Sequence, residues 1–277
     1  MPLARVSYGL ITSRNQGGGN KKQGLPPTMG LGPFSMNLIQ RRAGYCKCVN
    51  TAPTLIFVAL ANSINGEVLI SRDSGNNWVR ATTEQEGDWV SLAYGNGIFV
   101  AVSIDGKAMR SIDGGKNWLY STTSQNGIWS SVAYGNGIFV AVSSDGKAMR
   151  SLNGGNNWLY STTNPVGQYS SVAYGDGVFI AVGGIYSSDI SYRNIAKSTD
   201  EGVSWSSVTI PSGFYPDDIA YGEGVFVAMS NLQDGVIEVA IRSTNDGSNW
   251  ELSTTTNETT YEGFSELLFF SAVAAGY

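Results

Sequence analysis

Of the residue types that most often carry out catalysis, this chain lacks histidine but contains many aspartates and glutamates. Its 277 residues include no histidine, which removes the most common general base, the most common metal ligand and every Ser–His or Cys–His mechanism. The 22 acidic residues are of a type that can act as general acids or bases, but the spacing in the sequence marks no two of them as a catalytic pair. The sequence therefore predicts a protein that is not an enzyme and that holds neither a metal ion nor a cofactor.

The two cysteines, Cys46 and Cys48, form a Cys-x-Cys pair. A disulfide over so short a span is strained, so we expect two free thiols, which are typical of a reducing compartment. The first nine residues lack the apolar core of a signal peptide, and no segment approaches the roughly 20 apolar residues that cross a bilayer. The sequence predicts a protein that is not secreted through a signal peptide and has no membrane span.

Positive and negative charges are separated along the chain. Residues 1–50 contain seven basic residues and no acidic ones, whereas residues 51–277 contain 10 basic and 22 acidic residues. Residues 16–27 are rich in glycine and lack a core-forming pattern. We therefore predict an extended basic arm at residues 1–44 and a folded domain at residues 45–277. Four residues of the arm are candidate binding residues: Lys21, Lys22, Arg41 and Arg42.

The folded part contains an internal repeat. Five tryptophans are separated by 40, 40, 47 and 45 residues, and each ends a segment of the type Ser-x-Asp/Asn-x-Gly-x-x-Trp. The Asp or Asn of such a turn accepts backbone hydrogen bonds, the glycine adopts a positive φ, and the tryptophan packs on the sheet. We predict structural roles for five residue pairs: Asp73 and Trp78, Asp113 and Trp118, Asn153 and Trp158, Asp200 and Trp205, and Asn245 and Trp250.

These segments resemble the Asp-box motif, which occurs in sialidases and in many non-catalytic β-propellers. The resemblance implies an all-β propeller with blades of four short antiparallel strands, and residues 130–162 fit one such blade. The chain contains five complete blades by this pattern, at roughly 45–83, 88–123, 128–163, 168–210 and 215–256. A partial blade follows from Phe264 to Tyr277. Because a propeller closes its ring to hide its sheet edges, we expect six blades, with five plus a closing partial blade as the alternative.

The same resemblance makes a sialidase-like glycoside hydrolase an alternative function. Sialidases use three arginines that clamp a carboxylate, a Tyr nucleophile with its Glu, and an Asp acid/base, and the usual Arg-Ile-Pro motif is absent here. The basic residues before the turns and the tyrosines recur with the repeat, which indicates structural contacts rather than a catalytic clamp. These residues are Arg110, Arg150, Lys197 and Arg242, and Tyr94, Tyr134, Tyr174 and Tyr221.

The arm carries a second resemblance. Residues 17–27 and the run from Gln40 to Tyr45 resemble an N-terminal leader shared by otherwise different proteins of large DNA viruses of marine algae. The resemblance implies a docking arm, a place in the virion as a minor capsid or capsid-associated protein, and capsid or other virion proteins as partners. Nucleic acid is not an expected partner, since seven charges over fifty residues with few aromatics match nucleic-acid binding poorly.

Two binding roles are open to the propeller: a protein-binding module that covers or bridges capsid subunits, or a receptor-binding head that stacks aromatic side chains on glycans. The insertion from Gly183 to Asn194 breaks the 40-residue period, and such insertions often add function. Its candidate contact residues are Tyr186, Tyr192 and Arg193. The aromatic residues considered for glycan stacking are Trp89, Trp129, Tyr169, Tyr186, Phe214 and Tyr215, of which the first three recur at one repeat position and are expected in the core.

Overall fold

The computed structural model of the protein describes residues 8–9, 56–60, 67–82, 85–163, 167–186, 191–230 and 240–253, with the backbone alone at 8–9, 185–186 and 191–192. The described residues form twenty β-strands and no helix, so none of them belongs to a helix that could cross a membrane. The strands form five antiparallel four-stranded sheets, named blades 1 to 5 in chain order. The predicted all-β architecture of four-stranded blades is confirmed.

Each blade is a simple meander in which every strand pairs with the next one along the chain. The first strands of successive blades contact one another. In chain order the strands are β1 (Tyr8–Gly9), β2 (Phe57–Leu60), β3 (Val68–Ser71) and β4 (Val79–Arg80) in blade 1; β5 (Trp89–Gly95), β6 (Ile98–Ser103), β7 (Ala108–Ser111) and β8 (Leu119–Tyr120) in blade 2; β9 (Trp129–Gly135), β10 (Ile138–Ser143), β11 (Ala148–Ser151) and β12 (Leu159–Tyr160) in blade 3; β13 (Ser171–Gly175), β14 (Val178–Tyr186), β15 (Ser191–Ser198) and β16 (Ser206–Val208) in blade 4; and β17 (Pro216–Gly222), β18 (Val225–Ser230), β19 (Ala240–Ser243) and β20 (Glu251–Leu252) in blade 5.

Blade 3 shows why these residues form strands. Asn136 and Gly137 join β9 to β10 with φ values of 49° and 86°, as a two-residue hairpin turn requires. Along β10, Ile138, Val140 and Val142 pack with residues of blade 4, while Phe139 and Ala141 pack with residues of blade 2. A strand that is covered on both faces needs a continuous apolar run, which this segment of the sequence provides.

Neighbouring blades approach each other closely where the first strand of a blade ends in glycine. A Cβ atom added there would overlap the tyrosine ring of the next blade, so glycine is the residue that allows this approach. The contact occurs at three junctions, with these distances from the added Cβ to the ring: Gly95 to Tyr134, 2.0 Å; Gly135 to Tyr174, 1.9 Å; and Gly175 to Tyr221, 2.1 Å. The repeated Tyr-Gly pairs therefore hold consecutive blades together.

Blade 1 begins within the segment predicted as the arm. Tyr8 and Gly9 pair with Ala59 and Val58 of β2, so residues 10–56 connect the first two strands of this blade, whereas the corresponding turn of the other blades has two residues. The arm boundary at residue 44 stays a prediction. Most of the arm, both cysteines and the partial blade from Phe264 to Tyr277 lie outside the described residues.

Candidate interaction surface

The five Ser-x-Asp/Asn-x-Gly-x-x-Trp segments, named the Ser–Trp turns from here on, share one hydrogen-bond pattern. In blade 2, Ser111 Oγ donates to Asp113 Oδ1 (2.9 Å), and the N–H groups of Gly115 and Asn117 donate to Ser111 Oγ and Asp113 Oδ1 (both 2.9 Å). Trp118 Nε1 donates to Gly115 O at 2.7 Å. The serine and acidic or amide side chains make the same contacts in the turns of Asp73, Asn153, Asp200 and Asn245.

The carboxylates of these turns are poorly suited to catalytic proton transfer. Hydrogen bonds from the backbone and side chain of Asn77, and then from Ser71, hold the pKa of Asp73 below its ordinary value. Partial burial acts to raise the pKa of Asp113, but hydrogen bonds from Asn117 and Ser111 outweigh it and lower that pKa. Such carboxylates stay ionised at neutral pH, far from the pKa that a general acid needs. Within the described residues, no group of three or more His, Cys, Asp or Glu could hold a metal ion.

Blade 4 departs from the repeat through the length of its second and third strands. β14 and β15 have nine and eight residues, against six and four for their counterparts in blades 2, 3 and 5. The two strands pair along their whole length, from Phe179 with Ser198 to Tyr186 with Ser191. We name β14 and β15 together the blade 4 hairpin.

The structure places the candidate residues of the hairpin near one end of it. Tyr192 pairs with Ile185, next to the terminal pair that contains Tyr186. Arg193 is exposed, and its Nη1 donates to the backbone oxygen of Pro211 at 3.4 Å. The four candidate residues of the arm, Lys21, Lys22, Arg41 and Arg42, lie outside the described residues.

Two glycines let neighbouring backbone segments approach the hairpin. A Cβ atom on Gly183 would lie 2.0 Å from Gln168 O, and a Cβ atom on Gly184 would lie 2.8 Å from the carbonyl carbon of Tyr215. Sequence reasoning missed this role, although the Gly-Gly pair stands where blade 3 has Ser143 and Ser144. The glycines fix the hairpin between the chain before β13 and the start of β17.

A cleft of about 750 Å³ lies between blades 4 and 5, within the range of volumes that bind small molecules or short segments. Lys197 lines it with only 11% of its side chain exposed, and its Nζ pairs with Asp246 (2.8 Å) and donates to Ser248 Oγ (2.8 Å). The hydrogen bond from Lys197, and then that from Ser248, lowers the pKa of Asp246. The other lining residues are Thr199, Ser206, Ser207, Val208, Thr209, Ile210, Pro211, Asn249 and Trp250.

The cleft is therefore a mainly uncharged surface of hydroxyl, amide and apolar groups, because its lysine is neutralised by an aspartate. Pro211 belongs to its wall and also accepts the hydrogen bond from Arg193. The hairpin and the cleft thus form one continuous surface at the junction of blades 4 and 5.

Most of the aromatic residues considered for glycan stacking are in the core. Trp89, Trp129 and Tyr169 are buried, as their repeat position predicts. The choice of Phe214 as a loop aromatic was wrong, because this residue is fully buried in the cluster between blades 4 and 5. Phe214 packs on blade 4 as Trp129 packs on blade 2, and Tyr215 is half-buried.

No protein-family model matches the sequence, and a comparison with curated proteins gives no match. Solved structures share its fold, among them YCF48 bound to a D1 peptide (TM-score 0.52, 15% identity, 71% of this chain and 62% of that one). Two glycoside hydrolases of family GH74 also match. The Niastella koreensis enzyme has a TM-score of 0.53 and 20% identity, over 72% of this chain and 30% of the enzyme. The Xanthomonas campestris xyloglucanase has a TM-score of 0.52 and 18% identity, over 72% of this chain and 36% of the enzyme. This chain is a β-propeller.

The likeness to these propellers shows the fold alone. The chain spans less than two thirds of the length of each of these three proteins, and at 20% identity or below their activities do not transfer to it. A peptide-bound propeller and glycoside hydrolases share this fold, so function has to be inferred from the surface of this propeller.

Proposed function

We propose that the chain is a non-enzymatic interaction protein whose propeller binds another protein through the blade 4 hairpin and the adjoining cleft. The observation that carries this proposal is the length of the hairpin, which continues a regular blade beyond the strand lengths of blades 2, 3 and 5. In repeat proteins the repeated positions serve packing, and added segments commonly serve binding.

The cleft favours an extended peptide segment as the part of the partner that it holds. β16 is the edge strand of its sheet, so one row of backbone groups in Ser206–Val208 faces away from β15. A peptide strand can add to such an edge through main-chain hydrogen bonds, while side-chain pockets give specificity. Ile210 and Pro211 offer apolar contacts beside the hydroxyl groups. The solved complex of YCF48 with a D1 peptide supports a peptide-binding role for a propeller.

The proposal that the chain is not an enzyme rests on its lack of histidine and on the structural contacts that its aspartates and arginines make. The chain has no histidine, and the aspartates of its Ser–Trp turns are held ionised by hydrogen bonds within the turns. Arg110 and Arg150 occupy one repeat position on the third strands of blades 2 and 3. A repeated structural contact explains that spacing better than a substrate clamp does.

We further propose that the Ser–Trp turns are Asp boxes and that the protein is a virion component docked by its basic arm. The separation of a basic N-terminal segment from an acidic body supports different partners for the two parts. The arm would meet capsid or other virion proteins through Lys21, Lys22, Arg41 and Arg42, and the propeller would bind a further protein.

Cross-linking mass spectrometry on the native particle or complex tests this proposal. We expect peptides of capsid or other virion proteins to be linked to Lys21 and Lys22. A photo-reactive amino acid in place of Arg193 should capture one protein partner at the hairpin. The same amino acid in place of Lys147, in the short hairpin of blade 3, is the matched control and should capture much less of that partner.

Two results would overturn parts of the proposal. Links from Lys21 and Lys22 to the propeller of the same chain alone would mean that the arm does not dock to other proteins. Equal capture at Arg193 and Lys147 would mean that the hairpin has no special part in binding.

A further inference from the structure

The junctions between blades 2 and 3 and between blades 3 and 4 are closed by a Ser-Thr-Thr segment that follows the fourth strand. We name it the closing segment; it is formed by residues 121–123 in blade 2 and by residues 161–163 in blade 3. At the first of these junctions, the Thr122 N–H donates to Asn156 O at 2.8 Å. The Trp158 N–H donates to Thr123 O at 3.2 Å, and Thr123 forms a parallel bridge with Asn157. The closing segment therefore binds the Ser–Trp turn of the next blade through main-chain hydrogen bonds, as an added strand does.

Two hydroxyl groups of the closing segment take part in this contact. The serine donates to the glycine carbonyl of the Ser–Trp turn at 2.6 Å, from Ser121 Oγ to Gly155 O and from Ser161 Oγ to Gly202 O. The last threonine accepts from the tryptophan N–H at 3.2 Å, from Trp158 to Thr123 Oγ1 and from Trp205 to Thr163 Oγ1. A Ser–Trp turn thus recognises an extended segment with the pattern Ser-x-Thr.

Blade 4 does not supply such a segment to blade 5. Its residues at the three closing positions are Val208, Thr209 and Ile210, so apolar side chains replace both hydroxyl groups that make the contact. Val208 and Ile210 pack against the apolar cluster between the two blades. Within the described ranges, no hydrogen bond joins residues 208–211 to residues 247–250. The cleft between blades 4 and 5 lies at this junction.

The receiving side of the contact is intact in blade 5. The Gly247 N–H donates to Ser243 Oγ at 3.1 Å, and Trp250 Nε1 donates to Gly247 O at 3.0 Å, as in the Ser–Trp turn of blade 3. Ser248 O and the Trp250 N–H hold the places of the groups that bind the backbone of the closing segment in blade 3. Ser248 and Trp250 both line the cleft. The cleft therefore presents a Ser–Trp turn with the geometry that binds a Ser-x-Thr segment at the other junctions.

The charge of the cleft also suits an uncharged segment. Lys197 pairs with Asp246 and donates to Ser248 Oγ, so it does not act as a free positive charge that would favour an acidic peptide. Serine and threonine need only hydrogen-bond donors and acceptors, which the hydroxyl, amide and backbone groups of the lining provide.

We propose that the cleft holds a segment of another protein with the pattern Ser-x-Thr, bound in the place of a closing segment and parallel to residues 249–250. This inference rests on the proposed peptide-binding role of the cleft and specifies the peptide. The serine hydroxyl donates to Gly247 O, and the threonine hydroxyl and carbonyl accept from the Trp250 N–H. The Ser-Thr-Thr segments of blades 2 and 3 are bound within their own junctions, so a second copy of the chain does not offer them.

Fluorescence anisotropy of a labelled peptide, titrated with the full chain, tests the proposal. The probe is the capped peptide Leu-Tyr-Ser-Thr-Thr-Ser-Gln, which has the sequence of residues 119–125. The control peptide has alanine in place of the first serine and of the second threonine. We expect the control peptide to bind at least about tenfold more weakly, because it lacks both hydroxyl groups that contact the Ser–Trp turn.

Two variants of the chain form a matched pair. Ser206 pairs with Lys197 in blade 4 as Leu119 pairs with Arg110 in blade 2, and both Ser206 and Leu119 are exposed. Ser206→Trp fills the cleft and should abolish saturable binding of the probe. Leu119→Trp adds the same side chain beside a closed junction and should leave probe binding unchanged. Thr209→Trp, at another exposed position of the lining, serves in place of Ser206→Trp if that variant does not fold.

The outcomes separate this inference from the proposed function. Equal binding of the two peptides, no binding of the probe, or probe binding that Ser206→Trp leaves unchanged would overturn the inference. The peptide-binding role of the cleft would still hold if Ser206→Trp weakened binding of the partner captured at Arg193. Self-association of the free chain that Ser206→Trp abolishes would identify a second copy as the occupant and would also overturn the inference. Hydroxyl-dependent binding of the probe that is lost in Ser206→Trp alone supports it.

Discussion

Blades 3 and 4 end their second strands in different ways. In blade 3, Ser143 closes a tight turn: the Lys147 N–H donates to Ser143 Oγ at 2.7 Å, and Lys147 Nζ pairs with Asp145 at 2.6 Å. In blade 4 the same position is Gly183, and the strand continues to Tyr186 before the chain returns at Ser191. A serine hydroxyl ends one hairpin, and its replacement by glycine accompanies the extension of the other.

This difference shows that the blade 4 hairpin is an anchored element. Gly183 and Gly184 are in contact with backbone atoms of the chain near Gln168 and Tyr215, and Arg193 is bonded to Pro211. A surface that is held in place before binding loses less conformational entropy when a partner docks. The anchoring therefore supports a binding role for this hairpin.

The largest effect is expected from Gly183→Ala. The added Cβ would lie 2.0 Å from Gln168 O, and a backbone atom cannot move aside as a flexible side chain can. We expect a loss of about 3 kcal/mol in the free energy of unfolding, measured by urea denaturation. Gly137→Ala is the control: its Cβ meets nothing within 4 Å, and only the positive φ costs about 1 kcal/mol. Equal losses in the two variants would contradict the close approach at Gly183.

A smaller loss is expected from Ser143→Ala in blade 3. The change removes the hydroxyl that accepts from Lys147 N–H and donates to Lys147 O. Lys147 O keeps its bond from the Ser143 N–H, but the Lys147 N–H loses its partner, at a cost of about 1–2 kcal/mol. Ser144→Ala, at the next and half-exposed position, should change the unfolding free energy by a few tenths of a kcal/mol at most. If the two variants were equally stable, the serine hydroxyl would not be what closes the short hairpin.

The smallest effect concerns pH and the Asp145–Lys147 pair of the short hairpin. Burial acts to raise the pKa of Asp145, but hydrogen bonds from Lys147 and Ser143 outweigh it and hold that pKa below the ordinary 3.8. A lowered pKa stabilises the folded state above about pH 4, and this contribution is lost as the pH falls through the folded-state pKa. Because the pair is exposed, Asp145→Asn should cost only about 0.5 kcal/mol at pH 7.

Urea denaturation of wild type and Asp145→Asn at pH 7 and at pH 2.5 measures this contribution. The difference in unfolding free energy between the two proteins should shrink at the lower pH. A difference that grows on acidification would contradict the statement that ionised Asp145 stabilises the folded state.

The regular blades could be predicted from the sequence because their period is intact. The predicted blade at 128–163 contains all four strands from β9 to β12, since the turn residues and the apolar run of β10 stand at fixed distances from the tryptophans. Tyr8–Gly9 could not be placed in blade 1. It is a two-residue strand that pairs with Val58 and Ala59 about fifty residues further along, and no local pattern specifies so distant a partner.

The candidate site could be predicted only in part. The broken period located the hairpin at Gly183 to Asn194, but it gave no information on the cleft or on the contact between Arg193 and Pro211, which depend on how two blades pack. Phe214 was misassigned because it follows its tryptophan by nine residues, whereas Trp129 follows Trp118 by eleven. The shorter link hid its repeat position.

The most direct test of the central claim is the affinity of a hairpin-exchange variant for its partner. Residues Gly183–Asn194 are replaced by the blade 3 turn, Ser143–Lys147, and the Kd is measured for the purified partner captured at Arg193. We predict a Kd at least about tenfold weaker, or roughly 1.4 kcal/mol, with cooperative thermal unfolding retained. An unchanged Kd in a folded variant would contradict the assignment of the blade 4 hairpin as the binding surface.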